Sequence, residues 1–126
     1  MPLKKLFLVE DDEQYAEFIK KSLRTKYQIY SFTTAEDCLM ALKSIKPDIL
    51  VLDYQLPGIT GIDLYEQSQE LLKKDTKVIM MSSIDDGNMV LDFIARGVRD
   101  YVVKDEKVIQ TLNSVIEGED DLFFDD

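Results

Sequence analysis

The groups best suited to chemistry in this chain stand where short apolar runs end. Asp53 closes one such run, and three other runs are followed by Glu10 with Asp11, by Ser82, and by Lys104. The carboxyl ends of parallel strands meet at one edge of a sheet, where ligands of such folds bind. If the runs are parallel strands, we therefore expect these five side chains to lie together.

The charges of this group predict its chemistry. Glu10, Asp11 and Asp53 would repel one another strongly unless a cation neutralised them. An oxygen-only ligand set suits Mg²⁺ better than zinc. Asp53 would then be placed to attack phosphorus and form an aspartyl phosphate. Lys104 and Ser82 would stabilise the phosphoryl oxygens, the lysine by its charge and the serine by a hydrogen bond.

Five strand-like runs alternate with segments long enough to form helices. The runs lie near residues 4–9, 27–32, 48–53, 77–82 and 100–104. Strict alternation predicts an α/β fold in which helices cover both faces of an open, mostly parallel sheet. Three of the runs are almost purely apolar and indicate central strands, whereas the run at 27–32 alternates and suits an edge.

The intervening segments carry apolar residues at helical spacing. These residues are Tyr15, Ile19 and Leu23 in the first segment, Ala35, Cys38, Leu39 and Leu42 in the second, Leu64, Tyr65, Leu71 and Leu72 in the third, Val90, Leu91 and Ile94 in the fourth, and Val108, Ile109, Leu112, Val115 and Ile116 in the fifth. Thr34 begins the second segment with a capping-box-like pattern. Gly97 and Gly118 are expected to end the fourth and fifth helices, and Cys38 is interpreted as a core residue.

Composition limits the size and class of the protein. A chain of 126 residues with 45% hydrophobic content predicts one domain. The net charge of -10 disfavours direct binding to nucleic acid. The absence of histidine excludes Ser-His-Asp nucleophiles, imidazole zinc sites and phosphohistidine carriers. A single cysteine and no long apolar signal segment favour a cytoplasmic protein without membrane contact.

Four motifs resemble the receiver domain of two-component response regulators. They are Leu8–Asp12, Leu52–Gly58 with Gly61, Met81–Ser83 and Asp100–Lys104. The resemblance covers about residues 4 to 117. It implies a flavodoxin-like, doubly wound fold with a five-stranded parallel sheet in the order 2-1-3-4-5, as in chemotaxis receivers. It also implies a signalling switch that phosphorylates and dephosphorylates itself and is not a conventional enzyme.

The resemblance assigns roles to individual residues. Asp53 is implied to be the phosphoacceptor, and Mg²⁺ is held by Glu10, Asp11, Asp53 and the backbone carbonyl of Gln55. Ser82 and Lys104 are implied to bind the phosphoryl group. The implied phosphodonor is a histidine kinase or a phosphotransfer protein.

The resemblance also implies how phosphorylation is transmitted. Tyr101 corresponds to a switch aromatic that fills the space vacated when Ser82 is pulled toward the phosphoryl group. The face built from residues 87–117 would then change its partner, which is an output protein or a second copy of the chain. Residues 1–118 are expected to form the receiver domain, and residues 119–126 an acidic, disordered tail.

Departures from the family pattern leave an alternative open. Asp105 stands where the family normally has proline, so a cis Lys-Pro peptide is absent. Asp105 capping the fifth helix or pairing with Lys104 would weaken phosphoryl binding, and the chain would then be a degenerate receiver that binds proteins without phosphorylation. A flavodoxin-type electron carrier is disfavoured because the acidic run Glu10–Glu13 would repel a flavin phosphate. An Asp-x-Asp phosphatase would need an acid in place of Gln55.

Overall fold

The central sheet has five parallel strands. The computed structural model describes residues 2–84 and 86–118. The strands are β1 (Lys4–Val9), β2 (Tyr27–Phe32), β3 (Ile49–Asp53), β4 (Lys77–Ser82) and β5 (Asp100–Val103). Their order is β2-β1-β3-β4-β5, and every neighbouring pair is parallel. This order confirms the doubly wound, flavodoxin-like α/β fold, with β2 at an edge.

Helices cover both faces of the sheet. They are α1 (Glu13–Leu23), α2 (Ala35–Leu42), α3 (Gly61–Ser68), α4 (Gly87–Ala95) and α5 (Val108–Glu117), and a 3₁₀ turn at Gln69–Leu71 follows α3. Alternate residues of a strand point to opposite faces, so Leu6 and Leu8 pack with α1 and α5, while Phe7 and Val9 pack with α2, α3 and α4. No helix in the described part of the chain is long and apolar enough to cross a membrane.

Side-chain caps place the starts of four helices. Asp12, Thr34, Thr60 and Asp86 precede α1, α2, α3 and α4, and each accepts hydrogen bonds from backbone N–H groups of the first turn. The cap at Thr34 confirms the predicted start of α2, and Gly118 ends α5 as predicted. The predicted tail at 119–126 lies outside the described residues.

The apolar face of α4 differs from the sequence-based expectation. Leu91 and Ile94 are 64% and 44% exposed, whereas Phe93 is buried. Phe93 packs between the rings of Tyr54 and Tyr101, with centroid distances of 5.3 and 5.7 Å. Contacts with these two rings therefore determine that Phe93 is the residue of α4 that faces the sheet. The helical spacing of the apolar residues did not identify it.

Candidate functional site

Two neighbouring strands bring the carboxylates together. The register of β1 and β3 pairs Val9 with Leu52, so the next residues, Glu10 and Asp53, lie side by side at the carboxyl edge of the sheet. Glu10, Asp11 and Asp53 each offer an oxygen, and these atoms lie within 4.8 Å of one another. Glu10 and Asp53 are buried, and Asp11 is exposed. The structure thus brings together the three acids that the sequence analysis singled out.

Lys104 reaches across the sheet edge to two of these acids. It is the first residue after β5, and its backbone N–H donates to the Ser82 carbonyl at 2.9 Å. Its Nζ lies 2.6 Å from Glu10 Oε1 and 3.1 Å from Asp53 Oδ2. Lys104 is therefore paired with both buried acids.

Backbone donors hold the other oxygens of the buried acids. The Asp12 N–H donates to Glu10 Oε2 at 3.1 Å, and the Gln55 N–H donates to Asp53 Oδ1 at 3.2 Å. The Gln55 side chain accepts a hydrogen bond from Ser83 Oγ at 3.3 Å. Gln55 consequently lies beside Asp53, and both buried carboxylates are oriented from two sides.

The site is short of positive charge. Burial raises the pKa of Glu10 from 4.5 to about 7, even though Lys104 donates a hydrogen bond to it. Burial lowers the pKa of Lys104, but its contacts with Glu10 and Asp53 outweigh this effect and raise the pKa above its ordinary value. The three carboxylates offer only oxygen ligands and share one lysine, and an oxygen-only donor set of this kind fits Mg²⁺.

Ser82 and Tyr101 are both hydrogen-bonded to the same loop residue, Ile84. Ser82 ends β4 and is buried, and its Oγ accepts a hydrogen bond from the Ile84 N–H at 3.0 Å. The Tyr101 hydroxyl donates to the Ile84 carbonyl oxygen. Ile84 therefore connects the two residues to which the resemblance gave linked roles.

The turn after β3 leaves no space behind Asp53. Pro57 and Gly58 connect two short antiparallel strands, Gln55–Leu56 and Ile59–Thr60, and Gly58 has a φ of 75°. A β-carbon on Gly61 would lie 2.4 Å from the Asp53 backbone oxygen. The sequence analysis used Gly61 only as part of a motif, and the structure shows that a larger residue would clash with the backbone of Asp53 and Tyr54.

Asp105 takes neither of the roles considered for it. No cis peptide bond occurs within residues 2–84 or 86–118, so Lys104 and Asp105 are joined in trans. Asp105 Oδ1 accepts from the Lys107 N–H at 2.9 Å, and Lys107 itself is the N-cap residue of α5. Asp105 thus closes the turn before α5, while Lys104 pairs with Glu10 and Asp53.

One residue at the site was missed. The Tyr15 ring centroid lies 4.7 Å from Lys104 Nζ, a distance at which an ammonium group is attracted to a ring face. The sequence analysis placed Tyr15 only on the covered face of α1. The available signal in the sequence was an aromatic residue in the first turn of the helix that follows the acidic strand end. That signal does not identify Lys104 as the contact.

A family model described as the response regulator receiver domain matches residues 6–116. The chain belongs to the response regulator receiver family. Two relatives differ in length. The chemotaxis protein CheY of Thermotoga maritima is 30% identical and is matched over 88% of this chain and 97% of its own length. The transcriptional regulatory protein YdfI of Bacillus subtilis is 25% identical, and the match covers 92% of this receiver chain but 56% of YdfI.

Solved receiver structures have the same fold. The receiver domain of DrrB, solved in a BeF3-activated form, is 25% identical with a TM-score of 0.78 and covers 91% of this chain and 98% of its own. The response regulator CheY4 of Vibrio cholerae has a TM-score of 0.81 over 92% of this chain and 98% of its own. At 18% identity, the second match shows the fold alone.

Proposed function

We propose that this receiver domain accepts a phosphoryl group on Asp53 and converts that event into a change of its protein-binding surface. The observation that carries the proposal is the pairing of Lys104 with both Glu10 and Asp53 beside exposed Asp11. Family membership supports a histidine kinase or a phosphotransfer protein as the donor. A cytoplasmic location stays a prediction.

Glu10, Asp11, Asp53 and the backbone carbonyl of Gln55 are proposed to hold Mg²⁺. When bound, the ion supplies positive charge that offsets the carboxylates and the charge developing on the phosphoryl oxygens. The raised pKa of Glu10 supports this assignment, because a buried carboxylate that is short of counter-charge gains most from a cation.

The residues of the chain have separate tasks in phosphoryl transfer. An Asp53 carboxylate oxygen forms a bond to phosphorus while the bond from phosphorus to the donor breaks, and the donor keeps the electron pair. The Gln55 N–H donates a hydrogen bond to Asp53 Oδ1, while Asp53 Oδ2 faces Lys104 and pairs with it. Lys104 would exchange Asp53 Oδ2 for a phosphoryl oxygen as the new bond forms.

Ser82 would transmit the new charge to the surface. Its Oγ now accepts a hydrogen bond from the Ile84 N–H. Moving Oγ toward a phosphoryl oxygen, to which the hydroxyl would donate, would break that hydrogen bond. The Ile84 carbonyl is the acceptor for Tyr101, so a shift of this loop would release the tyrosine hydroxyl. Tyr101 packs on Phe93 of α4, and the face at 87–117 would change its fit to an output protein or a second copy.

Incubation with acetyl phosphate and Mg²⁺, followed by intact mass measurement, tests the proposal. The parent protein is expected to gain one phosphoryl group, Asp53→Asn none, and the matched variant Asp48→Asn as much as the parent. A chelator is expected to prevent the gain. A protein that binds partners but takes up no phosphoryl group would be a degenerate receiver, and equal uptake by Asp53→Asn would exclude Asp53 as the acceptor.

A further inference from the structure

Tyr15 is placed by the same loop that carries the acids. Asp12, which follows Glu10 and Asp11 directly, accepts a hydrogen bond from the Tyr15 N–H at 3.2 Å as the N-cap of α1. The first turn of α1 therefore has a fixed position relative to the carboxylates, and it sets the Tyr15 ring 4.7 Å from Lys104 Nζ.

The ring of Tyr15, and not its hydroxyl, makes the contact with Lys104. Its hydroxyl oxygen is buried and has no hydrogen-bond partner among the residues that the structure describes. A buried hydroxyl without a partner costs stability, so hydrogen bonding does not account for this residue. Burial also raises the pKa of Tyr15, which keeps the ring neutral.

Lys104 needs a support that survives phosphoryl transfer. It is held by Glu10 and Asp53, and both carboxylates are also the proposed partners of Mg²⁺ and phosphorus. The lysine stem is long and flexible. A neutral ring face attracts the ammonium group without engaging the metal or the phosphoryl group.

We propose that Tyr15 is a positioning residue for Lys104, whose ring keeps the ammonium group at the site while the lysine exchanges Asp53 for a phosphoryl oxygen. The inference rests on the proposed function and adds to it a residue that touches none of the reacting atoms. It predicts that the ring is required and the hydroxyl is dispensable.

A double-mutant cycle on the rate of phosphorylation by acetyl phosphate tests this role. Tyr15→Phe is expected to match the parent, and Tyr15→Leu to be slower by about tenfold, the scale of one partly desolvated cation–π contact. In a Lys104→Ala background, Tyr15→Leu is expected to cause no further loss. Tyr65→Leu, the same substitution on α3 at the opposite face of the sheet, is the matched control and is expected to leave the rate unchanged.

Several results would overturn the role: an unaffected Tyr15→Leu, an equal loss in Tyr15→Phe, or the same loss with and without Lys104. Thermal unfolding identifies a variant that has lost its fold. In that case Tyr15→Met, which is unbranched and of similar length, replaces Tyr15→Leu. A parent protein that takes up no phosphoryl group would overturn the proposed function, and the role with it.

The contact itself can be measured without metal or phosphodonor. Protons held near a ring face shift upfield in the NMR spectrum, so the ε-methylene protons of Lys104 are expected upfield in the parent and in Tyr15→Phe, and at ordinary positions in Tyr15→Leu. Identical Lys104 shifts in the parent and Tyr15→Leu would overturn the inference even if the parent is phosphorylated normally.

Discussion

The carboxyl edge of the sheet, where its strands end, and the amino edge, where its strands begin, differ in how their charges are balanced. At the amino edge, Asp48 Oδ1 lies 2.5 Å from Lys73 Nζ, and Asp48 Oδ2 accepts from the Lys5 N–H at 2.8 Å. The hydrogen bond from Lys73, followed by that from Lys5, lowers the pKa of Asp48. At the carboxyl edge, burial raises the pKa of Glu10 despite its contact with Lys104.

This difference distinguishes a structural ion pair from a functional site. Asp48 and Lys73 are partly exposed and balance each other, so nothing further is needed for their stability. Glu10 and Asp53 are buried beside Asp11 and share one lysine, which leaves negative charge without compensation. Buried charge of this kind is typical of sites that bind a ligand or carry out chemistry.

Removing the lysine at each edge should give the largest contrast. Lys104→Ala is expected to slow phosphorylation by acetyl phosphate by about 10²–10³-fold, because one preorganised donor to the developing charge is lost. Lys73→Ala at the amino edge is expected to leave the rate unchanged. Rates are followed by intact mass, and equal rates for the two variants would remove the distinction between the edges.

The close approach behind Asp53 predicts the next largest effect. Gly61→Ala would place a β-carbon 2.4 Å from the Asp53 backbone oxygen, and we expect a loss of about 2–3 kcal/mol in the free energy of unfolding. Gly87→Ala is the control, because a β-carbon there meets nothing within 4 Å. Denaturant unfolding of both variants gives the comparison, and equal stabilities would show that the turn tolerates the shift.

Glu10 predicts a pH dependence of stability in the presence of a chelator. Because its folded-state pKa is raised from 4.5 to about 7, the folded protein binds this proton more tightly than the unfolded chain does. The resulting stability is present below about pH 4.5 and is lost as the pH rises to 7. The parent should lose about 2–3 kcal/mol relative to Glu10→Gln over this range. If the free energies of unfolding of the two proteins changed equally with pH, that result would contradict the raised pKa of Glu10.

Asp48 predicts a smaller effect of the opposite sign. Its folded-state pKa is lowered from 3.8, so its stabilisation is present above that pH and is lost on acidification. Asp48→Asn should therefore be slightly less stable than the parent at neutral pH and should approach it at low pH. The effect is small because the ion pair is partly exposed and screened by salt. A stabilising effect at neutral pH would contradict the contrast between the edges.

The sequence predicted which residues lie at the carboxyl edge of the sheet, but not all of their contacts. The sheet and its acids were predictable because apolar runs alternate with helical segments and end at Glu10 and Asp53. The contact of Tyr15 with Lys104 was not predictable, because it depends on where α1 starts relative to a loop distant in the chain. The burial of Phe93 likewise depends on its aromatic neighbours, which periodicity does not encode.

The contrast between the edges is tested most directly by backbone amide NMR spectra recorded with Mg²⁺ and beryllofluoride, which mimics an acyl phosphate. We predict that the largest shifts cluster at Glu10, Asp53, Ser82 and Lys104 and extend to Tyr101, while the amides around Asp48 stay unchanged. An unchanged spectrum, or shifts centred on the amino edge, would contradict the account.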